Sequence, residues 1–307
     1  MSKGSPALET VNYGGWPNCI RVSNREIELI ATTDVGPRII RLGFVGGQNL
    51  FKNYEATLGR TGDREWHNYG GHRLWHAPEV FPRTYAPDNE PVEHAWDGAT
   101  LVLRNSEGGN GVDKEMLVTV SPTSPCVEVT HRLVNRNPWS VEMAPWALSV
   151  MAPGGRAIYP QEEFLPHPDM LAPARPLVLW HFTDMSDPRW TWGRKYIQLR
   201  QDPAATTKQK VGLLNKQGWA AYLLGGDALI IRYGYDPSAT YVDMGCNTET
   251  YTDPEMLEVE TLGPLTRLEP GASVDHVESW TLARVECGSS DAEIDAALLP
   301  IVAATGP

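Results

Sequence analysis

Alternation of apolar and polar residues with a period of two is the feature that most constrains the fold of this chain. The sequence REIELIAT alternates Ile27, Leu29 and Ala31 with Glu26 and Glu28. This pattern is typical of a β-strand with one buried face. Similar runs recur along the chain between clusters rich in Gly and Pro, as short strands joined by turns require. They predict further strands at 36–47, 99–106, 113–122, 126–135, 140–151, 196–201, 210–215, 219–226, 228–235, 255–263 and 274–285.

One helix is predicted, at the end of the chain, in the sequence SSDAEIDAALLPIV. Ser290 can cap this helix, and Glu293 stands three residues later, which is the spacing of a capping box. Ile294, Leu298 and Ile301 are spaced to lie on one face. We therefore expect a short C-terminal helix with a single apolar side.

Residues 153–195 differ from the rest of the chain because they are rich in Pro, Trp and Asp and show little alternation. A long irregular segment inside a β protein is usually functional or lid-like. Neither a linker nor an internal repeat is visible, so we predict one domain over residues 1–307. A dozen or more strands and one late helix predict an all-β fold, with two large antiparallel sheets packed as a sandwich.

Composition argues against several classes of function. The 307 residues carry a formal net charge of −12, which disfavours nucleic acids and anionic membranes as partners. No run of 18 apolar residues occurs, so no membrane span is expected, and the opening MSKGSPALETVNYGG lacks the apolar region of a secretory signal. The cysteines form no CxxC pair, which argues against a thiolate zinc site and favours a cytoplasmic protein. They are Cys19, Cys126, Cys246 and Cys287.

The stretch WHNYGGHRLWHAPE raises the question of a metal site. His72 and His76 are four residues apart, the spacing that zinc enzymes use on a helix. Gly70–Gly71 and Pro78 disfavour a helix here, and four residues of an extended chain span roughly 13 Å. Arg73 lies between the two histidines and would repel a cation. We therefore expect a loop without a metal.

The same stretch suits a sugar better. Sugars present hydroxyl groups to polar side chains and C–H faces to aromatic rings, and the chain has 11 tryptophans but only 5 phenylalanines. The double glycine would let the backbone approach a ligand closely. Trp66 and His67 could instead pack beneath the loop. Ligand contacts are predicted for His72, Arg73, Trp75, His76 and Glu79.

A second group of polar residues lies in 247–282. In the sequence EMLEVET, Leu257 and Val259 point to one side of a strand, and Glu258 and Glu260 point to the other. This arrangement indicates a polar surface at a site, although two solvated surface glutamates would give the same pattern. Two residues just before this strand are predicted to line the same surface, namely Asn247 and Glu249.

The order of these features resembles that of the galactose mutarotase-like (aldose 1-epimerase-like) superfamily. The similar pieces are DVGPRIIRLGFVGGQNLF, VTHRLVNRNPWSVEMAPWALSVM and LEVETLGPLTRLEPGASVDHVESWTL. In addition, GGHRLWHAPE resembles a GG-x-[K/R]-L-W-x-A-P pattern in an uncharacterised branch of that superfamily. The resemblance covers most of the chain except 153–195, and it implies a β-supersandwich with a sugar cleft on a concave face.

The resemblance also implies a mechanism. Mutarotases use a Glu base and a His acid to open and reclose a sugar ring, and they need neither metal nor cofactor. Glu260 matches the base position, but Trp146 stands near the usual position of the histidine. Tryptophan cannot transfer a proton at neutral pH, so Trp146 is expected to bind the sugar. His76 is the preferred replacement acid, and His72 is the other candidate.

Three functions therefore remain open at this point. The preferred one is an aldose 1-epimerase-like isomerase with Glu260 as base and His76 as acid. The second is a protein that binds carbohydrate without catalysis, through Arg73, Trp75 and Trp146. The third is a glycan hydrolase or lyase that uses the same cleft, for which Glu79 and Glu260 could form the carboxylate pair.

Overall fold

The computed structural model describes residues 5–107 and 109–305, which contain 21 β-strands and one α-helix. The strands are β1 (Ala7–Tyr13), β2 (Trp16–Ser23), β3 (Ile27–Thr32), β4 (Arg38–Phe44), β5 (Gly71–Ala77), β6 (Glu93–Trp96), β7 (Thr100–Glu107), β8 (Val112–Val120), β9 (Cys126–Asn135), β10 (Val141–Met151), β11 (Arg156–Pro160), β12 (Leu177–Leu179), β13 (Trp190–Trp192), β14 (Tyr196–Arg200), β15 (Gln209–Leu213), β16 (Trp219–Leu224), β17 (Asp227–Tyr233), β18 (Thr248–Thr252), β19 (Leu257–Leu262), β20 (Thr266–Leu268) and β21 (Ser273–Arg284). The helix is α1 (Asp291–Ala304).

The strands form two large antiparallel sheets. The first sheet has the order β1-β2-β3-β4-β5-β10-β19-β18-β15-β12, with β20 paired to one end of β10. The second sheet has the order β13-β14-β11-β16-β17-β21-β9-β8-β7-β6. Leu74 and Val259 of the first sheet and Val129 and Leu229 of the second sheet belong to one buried apolar cluster between them. This confirms the predicted all-β sandwich.

Most of the predicted strands are present with ends within three residues of the expected positions, but one expectation was wrong. The stretch GGHRLWHA is not a loop, because residues 71–77 form β5 in the middle of the first sheet. Gly70 and Gly71 have φ values of +85° and +70°. A Cβ on Gly70 would collide with the backbone of Lys52, and one on Gly71 with that of Ile39. The glycines therefore allow close packing of neighbouring strands, not the approach of a ligand.

The helix α1 has the predicted capping box. Ser290 Oγ accepts a hydrogen bond from the backbone of Glu293, and the Glu293 carboxylate accepts one from the backbone N–H of Ser290. The buried side chains of α1 are Ile294, Leu298 and Val302, whereas Ile301 is only partly buried. Ile294, Leu298 and Val302 pack against Ala221 and Ile230 of the second sheet. These residues lie on the face of that sheet that points away from the first sheet. Within the described ranges no helix is both long and apolar enough to cross a membrane.

Candidate functional site

A cleft of about 510 Å³ opens on the face of the first sheet that points away from the second sheet. On β5, Leu74 points into the core between the sheets, whereas Arg73 and Trp75 line the cleft. Its aromatic lining residues are Tyr54, Trp66, Trp75, Tyr85, Trp146, Trp180, Phe182 and Tyr251. Its charged lining residues are Arg73, Glu79, Lys208, Lys210, Asp253, Glu255 and Glu258.

Strand register places these side chains side by side. Leu148 of β10 lies opposite Arg73 of β5 on one side and opposite Glu260 of β19 on the other. Glu260 in turn lies opposite Glu249 of β18. Since residues directly opposite each other in an antiparallel pair point to the same face, all of these side chains lie on the cleft side of the sheet. Tyr251 is likewise opposite both Glu258 and Lys210.

A buried charge cluster lies beneath the cleft. The ammonium group of Lys210 is 2.8 Å from Oε2 of Glu249 and 3.3 Å from Oε2 of Glu260. The indole N–H of Trp146 donates a 3.0 Å hydrogen bond to the same oxygen of Glu260. Lys210 also lies 5.0 Å from the ring centre of Trp146 and 4.7 Å from that of Trp180. Two carboxyl groups therefore share one cation between two aromatic rings.

Burial decides the protonation of this cluster. Glu249 and Glu260 are almost fully buried, and burial raises the pKa of both carboxyl groups because it disfavours their charged forms. Burial opposes the charge on Lys210 as well, but the nearby Glu260 and Glu249 outweigh it and raise the pKa of the lysine. Lys210 is thus charged at neutral pH, and one retained proton on the two carboxyl groups would make the cluster neutral.

Arg73 forms the second ion pair of the cleft. Its Nη2 donates a 3.0 Å hydrogen bond to Oε1 of Glu258. The guanidinium group lies over the rings of Trp75 and Trp66, at 4.5 and 5.7 Å from their centres. Among the described residues, Nε and Nη1 of Arg73 have no hydrogen-bond partner. Arg73 is therefore held in place at the cleft and still has two N–H groups available to a ligand.

The two histidines of β5 lie on the other face of the first sheet. Alternation along β5 places His72 and His76 on the same side as Leu74, towards the second sheet. His72 lies 2.9 Å from Oγ of Ser149 in the core. The expected pairing of Glu260 with His76 across an open cleft is not found, because the sheet itself separates them. Neither histidine is among the residues that line the cleft.

His72 instead belongs to a buried hydrogen-bonded chain. Nδ1 of His131 lies 3.0 Å from the carbonyl oxygen of His276, which can only accept, so this nitrogen carries a hydrogen. Burial lowers the pKa of His131 to about 4, and burial also lowers the pKa of His72. Both rings are therefore neutral, and Nε2 of His72 donates to Nε2 of His131 over 2.6 Å. Ser149 then donates to Nδ1 of His72.

His72, His131 and Glu278 are close enough together to suggest metal ligands. Two imidazole nitrogens on one tetrahedral zinc ion would lie roughly 3.3 Å apart, whereas the observed separation is 2.6 Å. The ring centres are 4.8 Å apart, close to the sum of this separation and the two ring radii, so the two nitrogens point almost directly at each other. The geometry is that of an N–H···N hydrogen bond, and the two ring nitrogens do not point at a common ion position between them and Glu278.

The other predicted site residues are placed as follows. Trp75, Trp146 and Glu79 line the cleft, and Glu79 accepts a hydrogen bond from the hydroxyl of Tyr85. Asn247 is fully buried, and its side-chain amide bonds the backbone N–H and carbonyl of Asn215, which gives it a structural role. Glu258 and Glu260 are 7% and 0% exposed, so the alternative of two solvated surface glutamates was wrong.

Sequence reasoning missed several residues of the cleft. Lys210 was included in a predicted strand without a role, and Trp66 was expected to pack beneath a loop, but both line the cleft. Trp180 and Phe182 come from the segment 153–195, directly after β12. This segment was expected to be irregular, but it contributes the short strands β11, β12 and β13. The abundance of Trp in that segment was the sequence feature that could have indicated a role for it at the cleft.

The two-sheet fold is similar to that of galactose mutarotase-like proteins of known structure, as the sequence resemblance implies. A galactose mutarotase-like protein from Lactobacillus casei ATCC 334 superposes with a TM-score of 0.57 at 10% identity, over 87% of this chain and 100% of that chain. One from Clostridium acetobutylicum gives 0.51 at 10% identity, over 92% and 100%. A TPR-domain containing protein from Parabacteroides distasonis ATCC 8503 gives 0.58 at 14% identity, over 88% of this chain.

This chain spans about half, 48%, of the Parabacteroides protein. No family model matches the sequence, and no curated protein matches it either. At such low identities the likeness concerns the fold.

Proposed function

We propose that this protein binds a carbohydrate in the cleft on the first sheet. The observation that carries the proposal is the composition of the cleft, in which eight aromatic residues surround the ion pair of Arg73 and Glu258 and the amine of Lys210. Sugar rings have apolar C–H faces that stack on aromatic rings and hydroxyl groups that bind charged side chains.

The cysteines are free, which supports a reducing compartment such as the cytoplasm.

Hydrogen-bonding capacity at the cleft supports this assignment. Nε and Nη1 of Arg73 and the indole N–H groups of Trp66 and Trp75 have no partner among the described residues. A buried donor without an acceptor costs about 1–3 kcal/mol. Sugar hydroxyl oxygens are acceptors that could satisfy such groups once the side chains adjust around a ligand.

Ring-opening epimerisation is the second candidate, favoured by the position of Glu260 in the pattern LEVET. The reaction needs a proton acceptor and a proton donor that both reach the sugar. Glu260 is 0% exposed and is bonded by Trp146 and Lys210, and the raised pKa of Lys210 makes this amine a poor proton donor. The histidines of β5 lie behind the sheet. These relationships support binding more than catalysis.

Binding is tested by calorimetric titration of a panel of monosaccharides and oligosaccharides of glucose, galactose and mannose. We expect saturable binding by the wild-type protein and about tenfold weaker binding by Trp180→Ala, which removes a ring from the cleft wall. Trp139→Ala is the matched control, because Trp139 is 62% exposed and lies outside the cleft. Equal losses in both variants, or no binding of any sugar, would contradict the proposal.

Polarimetry separates the two candidates. We expect the wild-type protein to leave the rate of sugar mutarotation in buffer unchanged. An acceleration that disappears in Glu260→Gln would favour the epimerase over simple binding.

A further inference from the structure

A second cavity, of about 880 Å³, lies next to the cleft. Trp66 and Tyr85 line both spaces, so the two meet at a shared aromatic wall. Phe81 and the exposed side chains of Arg64 and Glu65 also line the second cavity. The function proposed above uses only the first of these two spaces.

Aromatic rings follow one another from the floor of the cleft into the second cavity. The ring centres of Trp146 and Trp75 are 5.5 Å apart, those of Trp75 and Tyr85 are 5.1 Å apart, and those of Tyr85 and Phe81 are 6.0 Å apart. Each step is close to the length of one sugar residue in a chain. Three steps of this kind limit the length of the row to that of a short oligosaccharide.

Phe81 is the most unusual member of this row. Its side chain is 80% exposed, although large apolar side chains on a surface gain stability from being covered. An exposed aromatic ring at the end of a row that begins in a cleft is suited to stack on a ligand that extends out of that cleft. Arg64 and Glu65 on the same cavity supply a donor and an acceptor for hydroxyl groups.

We infer that the ligand is a carbohydrate chain of several residues, which occupies the cleft and continues past Trp66 and Tyr85 into the second cavity. This inference rests on the proposed function, since it assumes that the cleft binds sugar. A free monosaccharide would bind within the cleft only and would not extend into the second cavity as far as Phe81.

The test compares ligands of increasing length. Calorimetric titrations use glucose, galactose and mannose, and their linear oligosaccharides of two to five residues. For the series that binds, we expect affinity to rise at least about tenfold between the monosaccharide and the longest chain. Phe81→Ala should lose most of this gain and bind the monosaccharide as the wild type does. Trp139→Ala, which alters an exposed ring away from both cavities, should retain the full gain.

Two results would overturn the inference, and they are distinguishable. If the monosaccharide and the longer chains bind equally well, and Phe81→Ala changes neither, the second cavity takes no part and only this inference fails. If no sugar of any length binds to the wild-type protein, the proposed function fails and this inference fails with it.

Discussion

The indole N–H of Trp146 donates a 3.0 Å hydrogen bond to the buried carboxylate of Glu260. The two residues lie on neighbouring strands, β10 and β19, and both are almost completely buried. The bond joins the two residues that the sequence resemblance aligns with the usual positions of the catalytic histidine and of the base. The bond occupies one oxygen of Glu260 as an acceptor within the protein, and the carboxyl group lies beneath the floor of the cleft.

Loss of this bond should destabilise the fold. Trp146→Phe keeps an aromatic ring but removes the N–H, so Glu260 loses a buried donor. We expect the free energy of unfolding to fall by about 1–3 kcal/mol in urea denaturation. Trp75→Phe is the control, because its N–H has no hydrogen-bond partner among the described residues, and it should be clearly less damaging. Equal effects of the two substitutions would show that the hydrogen bond contributes little.

Lys210→Met should be among the most damaging single changes near the cleft. It leaves Glu249 and Glu260 buried without the cation that lies between them. Breaking a buried ion pair in this way costs about 3–5 kcal/mol. Since burial raises the pKa of both carboxyl groups, the loss should be greatest at high pH, where both are ionised, and smaller in mild acid, where protonation removes the charge.

Urea denaturation at two pH values measures this effect. Adding Glu249→Gln to Lys210→Met removes one of the two uncompensated charges and should restore part of the lost stability at high pH. If the double variant is no more stable than Lys210→Met, the charge imbalance is not the cause of the loss.

Local patterns account for much of the fold and part of the cleft. Alternation along REIELIAT and EMLEVET predicts both the strands and the faces that Glu258 and Glu260 occupy. The capping box of Ser290 and Glu293 predicts the start of the helix. The same alternation in HRLWHA places His72 and His76 on one face of a strand and Arg73 and Trp75 on the other. This strand was not predicted, because the neighbouring Gly and Pro residues favoured a loop.

Long-range pairing accounts for what the sequence could not reveal. Lys210 reaches Glu249 and Glu260 only because β15 pairs with β18 and β18 pairs with β19, and no local pattern fixes that order. Trp180 reaches the cleft because β12 adds to the edge of the same sheet. The second cavity, in turn, depends on how residues 62–66 and 81–90 fold against each other.

The helix cap gives a prediction independent of the cleft. Ser290→Ala removes the hydroxyl that accepts from the backbone N–H of Glu293, and it should lower the free energy of unfolding by about 1 kcal/mol. Ser289→Ala is the control one residue earlier, since the hydrogen bond of Ser289 uses its backbone carbonyl. Thermal unfolding followed by circular dichroism measures both. A Ser289 variant as unstable as the Ser290 variant would argue against the cap.

The last prediction concerns Glu278, which is buried between the two sheets and accepts a 2.8 Å hydrogen bond from the indole N–H of Trp280. Burial raises the pKa of Glu278 from 4.5 to about 7. The unfolded chain therefore releases this proton at a lower pH than the native protein does. In this window the native state binds more protons, so stability falls as pH rises and the loss is complete above about pH 7.

Glu278→Gln removes this dependence because the amide cannot ionise yet keeps an oxygen for Trp280. Relative to this variant, the wild-type protein should lose about 2–3 kcal/mol of stability between about pH 4.5 and pH 8. His72 and His131 lie 3.9 and 4.0 Å from the Glu278 carboxyl group. Burial lowers the pKa of both histidines, so they stay neutral over most of this range and the difference reports on Glu278. Urea denaturation of both proteins across this pH range measures the difference in their free energies of unfolding. If the difference in stability does not change with pH, Glu278 is not the group that holds a proton in the core.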